Sequence, residues 1–428
     1  MALSFDVKDA HTVMTLMGRM ATGNQSLTVV DATGFVSTGT TIKQMGTETV
    51  FNTISTVFNR LIVASRAYKR NLYLMDAMDT GVYSALVRKI SFYSDDPMPT
   101  GASNTDLFTN FAEGFTAGQN VDATTGSAQS TKSQWEQHRK YPLEMSFCSQ
   151  AEWQYGITLD EDRIEIAFRN EEEFNRYFAG YLQEHANDIE TTHEAWNRLA
   201  LLNKVASIYA MASDMNGAAI DLVAGFNAKY GTSYTGTQLR TTYKKEFLAY
   251  FIALIKELSD YMAERNNLYH WDVPKTINGV QQSILRHTPY DRQRFYLYNR
   301  FFIDAESEVL PEIFHDERLD IKKQYQPVTF WQSIKSATAG DPRAQINFKP
   351  VITNTSTGAQ ETAANAVVLP YVLGLICDVD ALMTNFELDR VDTTAPEARK
   401  HYRNTWNTFR RGAVLDPTEK AILLYMAS

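Results

Sequence analysis

The run EEEFNRYFAGYLQEHANDIETTHEAWNRLALLNKVASIYAMAS, residues 171–213, limits what this chain can become more than any other stretch of it. Phe174, Phe178, Tyr181, Ile189, Trp196, Leu199, Val205 and Tyr209 recur at helical spacing, and no proline interrupts them. Asn170 can cap the start, Glu171, Glu172 and Glu173 complement the positive end of the helix dipole, and Asn216-Gly217 supplies a stop. At the rise of an α-helix this predicts an element on the order of 60 Å long, longer than a compact domain is wide. Such a helix has to serve a coiled coil, a bundle, or a flat molecule that it spans.

The rest of the chain is ordinary in composition, and that excludes several classes. With 428 residues, 44% of them hydrophobic and 21% charged, it can bury a large core and would normally divide into two or three domains. The 41 Lys and Arg against 50 Asp and Glu leave a net charge of −9, which argues against broad phosphate binding but allows DNA as an enclosed neighbour. Two cysteines, Cys148 and Cys377, are too few for a disulfide framework and fit a reducing compartment. The start has no basic region followed by an apolar one, so no secretory signal is expected. The longest apolar run, AVVLPYVLGLIC, is broken by Pro370 and falls short of the roughly 20 residues that cross a bilayer. A soluble intracellular protein is expected.

Along the chain, residues 1–47 read as an arm rich in Thr, Gly, Ser and Met with little period, and residues 48–78 as a helix with Val50, Ile54, Val57, Phe58, Leu61 and Ile62 on one stripe. GVYSALVRKISFYS reads as a strand, and YPLEMSFCSQAEWQYGITL as its return. Between them, Thr100 to Gln134 is rich in Gly, Ser, Thr, Asn and Gln, with Lys132 as its one cation. The pair predicts an extended β-arm with a polar tip, the alternative being a disordered surface insertion. After the long helix, AAIDLVAGFNAKYG and residues 236–268 read as helical, and residues 291–302 as mixed. From Gln324 the texture is β, closing with NTFRRGAVLDPTEKAILLYMAS, in which Asp416-Pro417 sits in turn positions between two apolar strands. The expected class is mixed α+β.

Three constellations invite a chemical reading. Asp378 and Asp380 end an apolar run as an Asp-x-Asp pair, the pattern of a magnesium-dependent phosphatase. Leu382 stands where that pattern needs Thr or Val, and too little chain follows for the remaining parts, so a solvated turn is the better expectation. Glu190–His193 and Glu312–His315 are both Glu-x-x-His, the spacing of di-iron four-helix bundles, with Glu48 and one of Glu246, Glu257 or Glu264 to complete a set. Pro311 adjoins the second motif, and a bundle has no use for a β-rich end. DRQRFYLYNRFF, residues 291–302, interleaves Arg292, Arg294 and Arg300 with aromatics that could stack on single-stranded nucleic acid, or that line a half-buried surface. His185 and His193 lie roughly 80° apart round a helix and make a poor ligand pair. No phosphate loop, nucleophile elbow or paired Cys-x-x-Cys is present, so no catalytic set, cofactor or metal is expected.

The order of arm, β-arm, long helix and closing strands resembles the major capsid protein of tailed double-stranded DNA phages, the HK-ninety-seven fold. ITLDEDRIEIAFRNEEEF is similar to the lead-in of the spine helix in capsid proteins of small short-tailed phages. GLICDVDALMTNFELDR and TFRRGAVLDPTEKAILLYM resemble the late strands and the Arg-Gly, Asp-Pro closing pattern. The resemblance implies an N-terminal arm and helix over 1–81, an E-loop over 82–155, and a P-domain with the spine helix over 156–215. An A-domain with a central sheet and returning P-domain strands would follow over 216–395, and closing strands over 396–428. It further implies a structural role without enzymatic activity: self-assembly as hexamers and pentamers into an icosahedral virion shell, formed in the host bacterial cytoplasm. Implied partners are other copies of the chain, a portal protein, a separate scaffolding protein (the arm being too short to contain one) and packaged DNA held without sequence-specific binding; no membrane is implied. Trp135, Arg139 and Lys140 near the return of the E-loop, with Glu171, Glu172 and Glu173, are the expected contact residues between subunits. A cross-link through Lys132 has no matching partner residue and is not expected.

Overall fold

Where an apolar run is long and unbroken, both faces of a strand need cover, and that rule organises the centre of this molecule. The computed structural model describes residues 26–44, 76–79, 87–93, 140–147, 151–160, 171–273, 275–277, 280–301, 325–333, 343–395 and 402–427, with isolated positions 11, 12, 14, 15, 18, 19, 72 and 303. A five-stranded sheet lies at the centre, in the order Ala219–Asp221, Ala421–Met426, Tyr371–Asp378, Gln293–Tyr298, Tyr325–Val328. The two edge strands run parallel to their neighbours and the inner pairs are antiparallel. All eight residues of Tyr371–Asp378 are buried. Leu375, Cys377, Leu423 and Tyr296 face one core with Leu201, Val205 and Ile208 of the long helix. Leu373, Ile376, Ile422 and Phe295 face a second core beneath the helices Leu222–Tyr230, Gly236–Thr241 and Lys244–Ala263. Gly374 is required where strands approach closely: a Cβ there would sit 2.4 Å from Leu297 Cδ2 and 3.0 Å from the Tyr296 carbonyl oxygen.

The long helix forms over Glu171–Ala210, 40 residues, and ends in turns that close on Asn216 (φ 41°) and Gly217 (φ 79°). Its burial changes along its length. From Ala200 to Ile208 every residue is buried, the mark of a helix inside a core, whereas burial from Glu184 to Leu199 is intermittent. That earlier part lies against a four-stranded sheet in the order Asp76–Asp79, Leu382–Thr393, Tyr402–Leu415, Ala151–Asp160. Trp196 Nε1 donates to the Gly412 carbonyl at 3.3 Å, the Trp153 and Trp196 ring centres are 5.7 Å apart, and Tyr155 and Thr192 share a hydroxyl hydrogen bond of 2.8 Å. One helix therefore serves both sheets.

Several expectations need correction. Asp76–Asp79, expected at the end of a helix over 48–78, is a strand paired in parallel with Thr384, Asn385 and Phe386, a pairing that no local period can announce. The arm over 1–47, expected from its little period to be an arm without a named element, contains a helix over Ala32–Gln44. Asp31 Oδ1 accepts from Gly34 N at 2.6 Å at its start, and Phe35, Thr38 and Gly39 form its buried face. The return strand expected at 141–159 is two strands, Pro142–Phe147 and Ala151–Asp160, which belong to different sheets. The helix expected over 236–268 is two, Gly236–Thr241 with a capping box from Thr235 and Gln238, and Lys244–Ala263. The tip of the expected β-arm, Thr100–Gln134, lies outside the described residues.

Candidate functional site

The hairpin formed by Val87–Phe92 and Pro142–Phe147 is antiparallel, with Lys89 opposite Met145 and Ser91 opposite Leu143. Alternation puts Arg88, Ile90, Phe92 and Glu144 on its exposed face, and Lys89, Ser91, Leu143 and Met145 on the face toward the body. Met145 packs on the central core, and Leu143 on a small cluster with Tyr93, Ile284 and Val273. The most inward pair of side chains on the first strand is polar. Lys89 Nζ meets the carboxylates of Asp416 and Glu419, and Arg286 Nη2 donates to Ser91 Oγ at 2.5 Å.

The partner of the hairpin is the turn between the last two strands. Its Asp-Pro-Thr sequence folds as an Asx turn: Asp416 Oδ1 accepts from Thr418 N at 2.8 Å and from Thr418 Oγ1 at 2.7 Å. The turn is buried, with Asp416, Thr418 and Lys420 all at 0% exposure. Lys204 of the long helix donates from Nζ to the Asp416 carbonyl at 2.7 Å. Arg286 Nε donates to the Thr418 carbonyl at 3.1 Å, and its Nη1 lies 3.5 Å from Glu419. Lys420 Nζ reaches back under the helix Lys244–Ala263, donating to the carbonyls of Glu264 (2.7 Å) and Tyr261 (3.0 Å) and to Asn266 Oδ1 (2.7 Å). That helix has no basic residue in its last turn, so Lys420 supplies the cation its C-terminal end needs.

Lys89 and Arg286 thus meet the carboxylates of Asp416 and Glu419, Lys204 holds the Asp416 carbonyl, and Lys420 leaves the same turn for the helix end. Burial pushes the Lys204 and Lys420 ammonium groups down to about 8 and the Glu419 carboxyl up. Burial also acts to raise the Asp416 carboxyl, but the Lys89 ammonium and the Thr418 hydrogen bonds outweigh it and hold it low. The arrangement is a polar joint where the hairpin, the long helix and the closing turn meet.

The chemical readings fare differently. Asp378 Oδ1 accepts from Asp380 N at 2.8 Å and so caps the short 3-10 turn Val379–Ala381, while Asp380 pairs with Arg292. This is a strand turning a corner. His193 Nε2 accepts from Arg411 Nη2 at 2.9 Å, so that nitrogen serves a contact with the four-stranded sheet. Glu246 and Glu257 sit on a helix covering the opposite face of the central sheet, away from the long helix that carries His193. Glu48 and the Glu312–His315 pair lie outside the described residues. Among the described residues no group of three or more His, Cys, Asp or Glu is placed to hold a metal ion. Phe295, Tyr296 and Tyr298, the aromatics proposed to stack on nucleic acid, are core residues exposed by 0–1%, and Arg292 is engaged by Asp380. Burial takes the Cys377 thiol to about 12.

Of the expected contact residues, Lys140 is exposed beside the hairpin, Glu171, Glu172 and Glu173 form the first turn of the long helix, and Trp135 and Arg139 lie outside the described residues. Sequence reasoning missed Lys89, Lys204, Arg286 and Lys420. One signal was available: Lys204, with Asn203 beside it, interrupts the apolar run Leu199–Leu202 and Val205–Ala206 on the turn of the helix most deeply buried.

No family model matches the chain, and no curated protein matches it by sequence. Among solved structures it is similar to the capsid of Staphylococcus phage Andhra, at 10% identity and a TM-score of 0.46, over 83% of this chain and 87% of that one. It is similar also to the capsid of the cyanophage P-SCSP1u (13% identity, TM-score 0.40, 85% and 90% covered). The mature capsid of bacteriophage PhiM1 gives 8% identity and a TM-score of 0.39, over 84% and 87% of the two chains.

Proposed function

We propose that the chain is a major capsid protein, the shell subunit of a tailed double-stranded DNA phage head with the HK-ninety-seven architecture. The observation that carries the reading is the 40-residue helix shared by two sheets, with a hairpin docked beside it and the final strands divided between both sheets. In this reading the hairpin is the root of the E-loop, 82–155, and the helix is the spine of a P-domain over 156–215. The central sheet belongs to an A-domain within 216–395, 1–81 form the arm and first helix, and 396–428 supply the closing strands. Subunits assemble as hexamers and pentamers in the host bacterial cytoplasm, with a portal and a separate scaffolding protein. Trp135, Arg139, Lys140, Glu171, Glu172 and Glu173 contact neighbouring subunits. The net charge of −9 supports a wall along which enclosed DNA slides without being gripped.

Sedimentation velocity and electron microscopy of the purified chain, with metal analysis of the same sample, test the reading. Shells, tubes or five- and six-fold rings support it, formed alone or on addition of the scaffolding protein. A discrete dimer carrying about two irons per chain, the stoichiometry of a carboxylate-bridged bundle site, overturns it.

A further inference from the structure

We infer that the Asp416 turn is a mechanical junction, which makes the docking of the hairpin and the seating of the long helix one cooperative event. The inference stands apart from the capsid reading. Asp416 holds both elements at once: its carboxylate takes Lys89 of the hairpin, and its carbonyl takes Lys204 of the long helix. The two ammonium groups share one acidic centre, so each sets the other's environment. Lys89 acts to lower the affinity of Lys204 for its proton, and Asp416 acts to raise it.

The far side of the turn is fastened. Trp271 N donates to the Pro417 carbonyl at 2.8 Å, Ala421 N to the Tyr269 carbonyl at 2.9 Å, and Tyr269 N to the Asn216 carbonyl at 3.1 Å. Tyr269 is held there at φ 66°, a left-handed conformation that a bulky residue adopts only when its surroundings enforce it. The turn therefore cannot follow one lysine and leave the other. On the near side the polar attachments of the hairpin are Lys89 and Ser91, beside the apolar contacts of Met145 and Leu143, with Lys89 still 22% exposed. A displacement of the hairpin thus reaches the buried segment 200–208 through a two-bond path, Lys89 to Asp416 to Lys204.

Hydrogen exchange on the full chain tests this. Lys89→Met is expected to speed exchange in 87–92 and 142–147 and also in 204–211, by roughly 5- to 150-fold, while 247–258 on the other face of the sheet stays unchanged. Lys204→Met is expected to speed exchange in the hairpin, because coupling is reciprocal, and the double variant to show less than the product of the two effects. Arg88→Met, on the exposed face of the same hairpin, is expected to leave the long helix untouched. Should Lys204→Met not fold, Asp416→Asn replaces it, since it keeps the carbonyl that Lys204 uses; faster exchange in both elements is then the supporting result. Effects confined to the element that carries each substitution overturn the junction, as does a rise in 247–258 equal to that in the hairpin.

Discussion

Replacing Lys420 with methionine separates two opposing terms at the end of one helix. The ammonium donates to two carbonyls of the helix Lys244–Ala263 and its C-cap and to Asn266, at 2.7–3.0 Å. Three charge-assisted bonds at about 2 kcal/mol each are lost, some 6 kcal/mol in all. Against this, Lys420→Met relieves the cost of burying an ammonium. Burying an ammonium costs on the order of 3 kcal/mol even after relaxation, and burial is the leading cause of the fall in its pKa from 10.5 to about 8. The net expectation is a loss of about 3 kcal/mol, felt first at the helix end. Hydrogen exchange of peptides spanning 258–266 should show protection lowered by roughly 100-fold. A second readout is specific to the charge. Because the folded pKa lies below the unfolded one, wild-type stability rises with pH between about 8 and 10.5, as the folded form sheds its proton first. The variant lacks this contribution, so the gap in urea stability should widen by on the order of 1–2 kcal/mol between pH 7 and pH 9.5. A loss under about 1 kcal/mol refutes the assignment of Lys420 as the cap of this helix, and a gap that does not change with pH refutes the burial of its ammonium.

Other perturbations follow from the same structure. His185, whose Nε2 accepts from Asn407 Nδ2 at 2.5 Å, is pushed down to about 4 by burial, so it contributes stability fully above pH 6.5 that is lost as pH falls toward 4. His185→Gln keeps an acceptor and should flatten that slope, worth about 2 kcal/mol, in urea titrations run at pH 7 and pH 4.5. Gly374→Ala forces a methyl against Leu297 and the Tyr296 carbonyl, and should cost about 2–3 kcal/mol by chemical denaturation; a neutral result would show that the strands part easily. Gly156→Ala meets the Trp406 ring at 2.9 Å and should disturb near-UV circular dichroism. Asp380→Asn, in an ion pair with both partners over 40% exposed, should cost at most about 0.5 kcal/mol, whereas Asp378→Ala removes a turn acceptor and should cost about 1–2 kcal/mol.

Local signals carried the long helix and the central strands into view. The helix has a period and a stop, and a run such as Tyr371–Asp378, eight residues long and apolar except at its last position, reads as a strand covered on both faces. What escaped was set by distant partners. Asp76–Asp79 is a strand only because Thr384 to Phe386 lie beside it, some three hundred residues on. The helix Ala32–Gln44 hides its face behind Thr38 and Gly39, which an apolar count passes over. The polar joint was illegible for a related reason. Lys89 alternates in a strand like any surface lysine, and Lys420 follows Glu419 like a solvated turn charge. Only the fold reveals that Lys89 meets both acids while Lys420 turns the other way, to a helix end.

The two halves of the long helix are held by different physics, and this bears on what a shared helix can do. Toward its C-terminal end, Leu201, Val205, Ala206 and Ile208 are fixed by apolar contact on a close-packed sheet, which tolerates little sliding. Toward its N-terminal end the contacts are polar and specific: His185 with Asn407, His193 with Arg411, Tyr155 with Thr192. Such bonds lie close to balance with hydration, so they define a geometry more than they add stability. A helix anchored by apolar packing at one end and registered by directed bonds at the other ties its two sheets unequally, so loss of one polar pair should loosen the four-stranded sheet while the central sheet keeps its form.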